Sequence, residues 1–235
     1  MIGNMRREEH ALEHLDRPLP PAALAASLAD LERLNTLFGG HRLTVRAVAR
    51  RIERLSRDRR VVVLDVGGGR GDLALRLVAW ARRARRAIRV IVLDRDAGTA
   101  ALARRHCAGT SEIVVIQGDA TALPVREGGV DVTVSALTLH HLAPDAAATM
   151  LAEMRAAARD AVVVNDLLRG RVMWLLVWLS TRLFARHPIS RHDGPLSVRR
   201  AYSTRELAVL AGKARLVHYT VRSFPWLARV VIVAC

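Results

Sequence analysis

An α/β fold on a mostly parallel sheet is what this 235-residue sequence predicts, and three observations predict it. The first is Val61–Val66, a β-branched apolar run that turns through Gly67, Gly69 and Gly71 into the helical pattern Leu73-Ala74-Leu75-Arg76-Leu77. Further apolar runs follow, most of them separated by segments of helical period, as in right-handed βαβ units. Last, two β-rich runs surround Pro225-Trp226, the pattern of a terminal antiparallel hairpin.

The elements follow in order. Residues 1–59 read as an N-terminal helical cap, in which Leu24, Leu28, Leu31, Leu34 and Leu37 recur at spacings of three or four on one face. Leu15-Asp16-Arg17-Pro18-Leu19-Pro20-Pro21 before them is a stiff, non-helical joint. Gly39-Gly40 interrupt the helix, and Leu43 to Leu55 resumes it with arginines outward. The Asn35 to Gly40 corner has two readings, plain packing or a cap over a ligand pocket. From residue 60 to 235 a second unit is expected: strand 61–65, helix 71–86, strand 88–93, helix 97–107, strands 112–117 and 130–135, helix 144–158 and strand 161–165. Ser203-Thr204-Arg205-Glu206 forms a capping box before Leu207 to Ala214, and strands 217–224 and 227–234 close the chain. Between them, residues 167–202 read as an inserted lid. Its segment Arg171–Phe184 is apolar nearly all round, so it either packs in the core, shapes an acceptor pocket or dips into a membrane surface.

The turn after the first strand is the most informative stretch. A strand that passes through glycines into a helix lets a ligand meet bare backbone at a helix N-terminus. The dinucleotide pattern Gly-x-Gly-x-x-Gly fails, because its third glycine would fall on Asp72. Asp-x-Gly-x-Gly-x-Gly fits, with Asp65, Gly67, Gly69 and Gly71 in register. That pattern resembles the first motif of class I S-adenosylmethionine-dependent methyltransferases of the small-molecule type. Later positions agree in order: Asp94 ends the second strand, 23 residues beyond Gly71, Gly118-Asp119-Ala120 ends the third, and Ser135-Ala136-Leu137-Thr138-Leu139-His140-His141 follows the fourth.

The resemblance implies a Rossmann-like three-layer sandwich: a seven-stranded, mostly parallel sheet with a C-terminal antiparallel hairpin, plus the N-terminal helices. It implies S-adenosyl-L-methionine as cofactor and S-adenosyl-L-homocysteine as product. Asp65, Gly67, Gly69 and Gly71 would then hold the methionine end, Asp94 the ribose, and Asp119 the adenine, with Ala120 and Ser135 beside them. Methyl transfer from a sulfonium needs mainly position and, for a hydroxyl acceptor, a base. His140 and His141 are the candidates, since they follow the fourth strand at the carboxyl edge of the sheet. Adjacent residues cannot both face one pocket, so one histidine is structural. Asp166, Arg169, Trp174, Trp178 and His192 are candidate acceptor contacts, although His192-Asp193-Gly194-Pro195 reads equally well as a turn. No metal is expected: Asn165-Asp166 partly suits a catechol-type site, but Ser135 stands where its first acid belongs. His187 and His192-Asp193 lack further ligands for zinc.

Bulk properties narrow the partners. A net charge of +15 invites nucleic acid, yet Lys213 is the only lysine and the arginines are scattered among alanines. Aromatics, at 4%, do not interleave with the basic runs as stacking platforms would. A small-molecule acceptor is therefore expected and nucleic acid is not; attraction to an anionic membrane surface stays open, as does oligomeric state. Met1 to His10 has no apolar core of a secretory signal, and Cys107 and Cys235 form no disulfide framework, which together imply a cytoplasmic protein. The expected reaction is methylation of a hydrophobic phenolic, quinol or polyketide-like acceptor, O- ahead of C-methylation. An RNA-modifying methyltransferase and a non-catalytic S-adenosylmethionine-binding scaffold are the alternatives.

Overall fold

The computed structural model describes residues 5–235; Met1–Asn4, the start of the stretch read above as lacking a signal, lie outside the described residues. Seven strands form one sheet: β1 (Val61–Val66), β2 (Ile88–Asp94), β3 (Ile113–Gln117), β4 (Val130–Ala136), β5 (Ala158–Leu167), β6 (Thr220–Phe224) and β7 (Arg229–Ala234). Their spatial order is β3-β2-β1-β4-β5-β7-β6. Strands β1 to β5 run parallel, and β7 lies antiparallel between β5 and β6. The order reverses at β1, flanked by β2 and β4, so a crevice opens there at the carboxyl ends of the strands. This is the Rossmann-like sandwich with its terminal hairpin.

Helices cover both faces. Helices α2 (Gly40–Ile52) and α3 (Asp72–Arg83) share with β1 and β2 one core, built on Val48, Ile52, Leu77 and Val90. On the other face, α5 (Pro144–Ala157) and α8 (Thr204–Lys213) bury Met150, Leu151, Met154 and Leu207 against β4, β5 and β7. The remaining helices are α1 (Pro21–Leu37), α4 (Ala97–His106), α6 (Arg171–Phe184) and α7 (Pro188–Arg200). Ser203 caps α8, its hydroxyl accepting from the Glu206 N–H while the Glu206 carboxylate accepts from the Ser203 N–H. No helix among the described residues is long and apolar enough to cross a membrane.

Three departures from the sequence expectations have physical causes. Residues 5–20 are extended around a single 3-10 turn, His14–Asp16, instead of helical. Their polar groups bond to α7: the Glu8 N–H donates to the Arg199 carbonyl, and the His14 and Leu15 N–H groups donate to the Asp193 carboxylate. Helix α3 stops at Arg83, and Arg86 leaves the basic run to bury its guanidinium on the carbonyls of Ile52, Leu55 and Ser56. His192-Asp193-Gly194-Pro195 is not a turn but the middle of α7. A Cβ on Gly194 would lie 2.6 Å from the Thr181 methyl, so glycine here serves the close packing of α6 on α7.

Candidate functional site

The turn after β1 builds the site. Gly67, Gly69 and Gly71 all have positive φ, which L side chains rarely adopt. A Cβ on Gly67 would come within 2.4 Å of Thr138, whereas Gly69 faces open space. The turn is pinned to β2, with the N–H groups of Gly67 and Gly68 donating to the Leu93 carbonyl and that of Gly69 to the Asp94 carboxylate at 3.0 Å. Behind it, the buried Ser135 hydroxyl donates to the Val66 carbonyl at 2.8 Å.

In front of the turn lies a cavity of about 490 Å³. It is lined by Asp65, Gly67, Gly69, Asp94, Asp119 and Ala120, together with Glu32, Asn35 and the leucines of α1. Thus α1 does close one side of the crevice. Asp65 is 1% exposed, and neither of its carboxylate oxygens has a hydrogen-bond partner. Burial, then the charges of Asp94 and Asp72, push it up to about 7. Burial likewise raises Asp94, although the N–H groups of Asp96 and Gly69 oppose the shift. Asp119 is held below the usual carboxylate range by the Thr121 N–H and hydroxyl.

A second cavity of about 170 Å³ adjoins the first, and Leu15, Leu31, Asn35, Leu137 and His141 face both. Leu137 carries the unusual φ of 60° for a leucine, directly after β4 at this shared wall. Leu34, Phe38, Leu176, Val177 and Leu227 make the second cavity largely apolar, and Glu13, His140, Asp193 and Arg229 are among its polar groups. Arg229 is buried, one N–H donating to the Asn35 side-chain oxygen at 2.9 Å, and burial pulls its guanidinium down to about 10.

The histidines sit in a hydrogen-bonded cluster. His140 Nδ1 donates to Asp166 at 2.6 Å, and the His140 N–H donates to the same carboxylate. His141 Nδ1 donates to Asp16, also at 2.6 Å. Both Nε2 atoms turn toward buried Glu13, at 3.7 and 3.9 Å, and both histidines line the second cavity. The 3-10 turn Leu139–His141 thus overturns the expectation that adjacent residues cannot both face one pocket. Burial pushes Glu13 up to about 7 against the pull of His141 and Arg200. At Asp166 burial is outweighed by His140, and its carboxyl stays low; at Asp16, His141 and Arg200 do the same.

The other residues singled out in the sequence lie elsewhere. Arg169 donates to the carbonyls of Met5 and Ala201 and pairs with Glu206, outside both cavities. Trp174 packs on the core, and Trp178 lies beneath Arg182, their rings 6.4 Å apart; α6 turns Leu176, Val177, Ser180 and Thr181 toward the second cavity instead. His192 is exposed and lies tilted against His14, their ring centroids 4.6 Å apart. Glu13, Asp16, His41, Leu137 and Arg229 line the cavities without having been singled out. Leu137 belongs to the segment quoted after the fourth strand; nothing in the local sequence marks the other four, which reach the site through contacts distant in the chain.

Residues 63–161 match the family model described as a methyltransferase domain. Comparison with curated proteins gives no match. Among solved structures the chain is similar to the CurJ carbon methyltransferase (TM-score 0.64, 14% identity, covering 92% of this chain and 61% of that one). It is also similar to the methyltransferase (CMeT) domain of the citrinin polyketide synthase (TM-score 0.61, 10% identity, 78% and 48%). A third is magnesium protoporphyrin IX methyltransferase of Synechocystis PCC 6803 with bound S-adenosylhomocysteine (SAH), at TM-score 0.57, 14% identity and 83% of each chain. The chain spans about half to two thirds of the length of the first two. Residues 63–161, then, match a methyltransferase domain, in agreement with the class I motif that the glycine turn resembles. S-adenosylmethionine is the cofactor of that domain, and the residues present suit it: Asp65 has two buried oxygens free for a cation, and Gly69 leaves a cradle that a side chain would fill.

Proposed function

We propose that this protein methylates a compact, largely apolar oxygen acceptor of phenolic, quinol or polyketide-like type, with the donor in the first cavity and the acceptor in the second. The observation that carries the reading is the shared wall at Leu137 and His141, through which a group held in one cavity meets a group held in the other. When bound, S-adenosylmethionine supplies an electrophilic methyl on a sulfonium. The chain's own work is position and proton transfer. Asp65 faces the cationic methionine end, the glycine turn meets it through backbone, Asp94 takes ribose hydroxyls, and Asp119 with Ala120 borders the adenine.

On the acceptor side, Leu34, Phe38, Leu176 and Val177 exclude water from the second cavity. At about 170 Å³ it is smaller than the roughly 300–1,000 Å³ of most ligand pockets, which favours a small ring system. As the acceptor oxygen bonds to the methyl carbon, the S–C bond breaks and the hydroxyl proton passes to the histidine–carboxylate cluster. His141 is the member that faces both cavities, and His140 is the more deeply buried. C-methylation is the second choice, supported by the likeness to two carbon-methylating or polyketide-synthase structures.

Two finer features belong to the same reading. Free thiols at Cys107 and Cys235 support a reducing, cytoplasmic setting. The outer face of α6 exposes Val172, Leu175, Leu179 and Leu183, and Trp226 is 87% exposed nearby in the chain's closing turn. With Arg171 and Arg182 on the same helix, that face suits an anionic membrane surface from which an apolar acceptor is drawn.

Calorimetric titration of S-adenosylmethionine and S-adenosylhomocysteine tests the donor site, with Asp94→Ala as control. Micromolar binding, weakened at least about tenfold in the control, is expected. A folded protein that binds neither ligand overturns the reading.

A further inference from the structure

We propose that Glu13, His140 and His141 form a binding site for one divalent transition-metal ion on the floor of the second cavity. The argument starts from hydrogen atoms. Each imidazole donates its Nδ1–H to a carboxylate that can only accept, His140 to Asp166 and His141 to Asp16, both at 2.6 Å. In that tautomer both Nε2 atoms present lone pairs, and both point at a third acceptor, the Glu13 carboxylate. Glu13 Oε1 is buried and has no hydrogen-bond partner. Three lone-pair donors thus face one another at a largely buried place, an arrangement that an electropositive centre between them resolves.

The donor set and its surroundings match a metal centre. All three ligand atoms lie within 4.8 Å of one another. Bonds of about 2.1 Å set tetrahedral neighbours about 3.4 Å apart. Glu13 Oε1 stands 3.7 Å from His140 Nε2 and Oε2 3.9 Å from His141 Nε2, with all separations in the set under 4.8 Å, so movements of up to about an ångström close it. Two imidazoles and one carboxylate suit zinc, cobalt, iron or manganese ions. Histidine ligands that carry a carboxylate on their far nitrogen are the usual outer shell of such a site, and here both histidines have one. Arg200 is the cation already facing this cluster, its Nη1 3.7 Å from Glu13 Oε1 and paired with Asp16, and Arg229 faces Asp166 from β7. No sequence spacing could show this site, because its carboxylate comes from a segment more than a hundred residues away from the histidine pair.

All three ligands line the second cavity, leaving the ion open to an acceptor atom there. A bound cation would polarise an acceptor oxygen and lower its proton affinity. With both Nε2 lone pairs and Glu13 then on the ion, the hydroxyl proton would pass to solvent instead of to the histidine–carboxylate cluster. That consequence rests on the acceptor reading above; the site itself does not.

The test uses the full chain, stripped with a chelator and titrated with Co²⁺, read by visible d–d absorption and by calorimetry. One Co²⁺ per chain, displaced by Zn²⁺, is expected, with Glu13→Gln and His141→Ala each weakening it by about 10- to 100-fold. Asp16→Asn should weaken it less, and His14→Ala, which disrupts the separate His14, His192 and Asp193 group, should leave it unchanged. S-adenosylmethionine affinity and melting temperature, measured on every variant, report folding. Should Glu13→Gln fail to fold, the half-buried His141 carries the comparison. Absence of stoichiometric binding at millimolar Co²⁺ overturns the proposal, with a shared proton as the occupant. Binding that survives both ligand variants overturns it equally. Donor binding without metal binding removes this inference alone, whereas metal binding without donor binding removes only the methyltransfer reading.

Discussion

The first cavity is built mostly from residues 65 to 142, with α1, His41 and residues 15–18 laid across it, whereas the second gathers side chains from the N-terminal segment, α1, the loop after β4, α6, α7 and the final hairpin. The first is the more polar of the two and rests largely on backbone geometry; the second is mostly apolar and depends on which side chains happen to meet. The difference teaches how each will respond to change. A site made of main chain at the end of a strand tolerates little, because its glycines cannot be replaced without moving the turn. A site made of side chains can be resized while the fold stays intact.

The sharpest break of that comparison is Gly67→Val. It forces a branched side chain into a positive φ and against Thr138. Donor binding, followed by calorimetry, should fall by more than about 100-fold, since an ångström of displacement at a reacting site costs that much. Retained affinity would show that the donor does not rest on this turn.

A second change tests the opposite side. Val177→Phe adds bulk to the second cavity from α6 and touches nothing in the first. Turnover of a phenolic acceptor should drop by about 10-fold or more, with S-adenosylmethionine affinity within about twofold of the parent. Equal losses of both would mean that the two cavities act as one.

Asp65→Asn isolates the electrostatics of the donor side. Its carboxyl rises from 3.8 to about 7 in the folded, ligand-free chain, so ionisation favours the unfolded state. Stability is then lost as pH rises from about 4 to 7, and the full penalty persists above that. The asparagine variant should be more stable by roughly 2–4 kcal/mol at about pH 8 and by less at about pH 5, measured by urea unfolding. A variant no more stable at the higher pH would refute the buried-charge account.

The smallest effect concerns the outer face of α6. Replacing Leu175, Leu179 and Leu183 by serine should reduce co-sedimentation with anionic vesicles by about three- to tenfold, leaving donor binding untouched. Unaltered co-sedimentation would dismiss this face as a membrane contact.

The legibility of the two cavities in sequence differs for the same reason as their composition. Asp65, Gly67, Gly69, Gly71 and Asp94 could be found because a strand, a glycine turn and a following strand lie in a fixed local order. Trp174 and Trp178 drew attention by size, yet α6 turns its smaller Val177 and Thr181 to the cavity; hydrophobicity around a whole helix gives no facing direction. Asp193-Gly194-Pro195 looked like a turn because its residue types usually make one, while the structure uses the aspartate to hold residues 14 and 15 and the glycine to admit α6.

The sequence by itself determined the class of fold, the mostly parallel sheet, the closing hairpin and the donor turn, since these follow from period, dihedral preference and short spacing. Only the tertiary structure decided what meets His140 and His141. Glu13, Asp16 and Asp166 lie as much as 128 positions from those histidines, and the chain between carries no periodic signal of their approach. They are brought together by hydrogen bonds of an extended segment to α7 and by burial against β5, interactions that exist only once the sheet has formed.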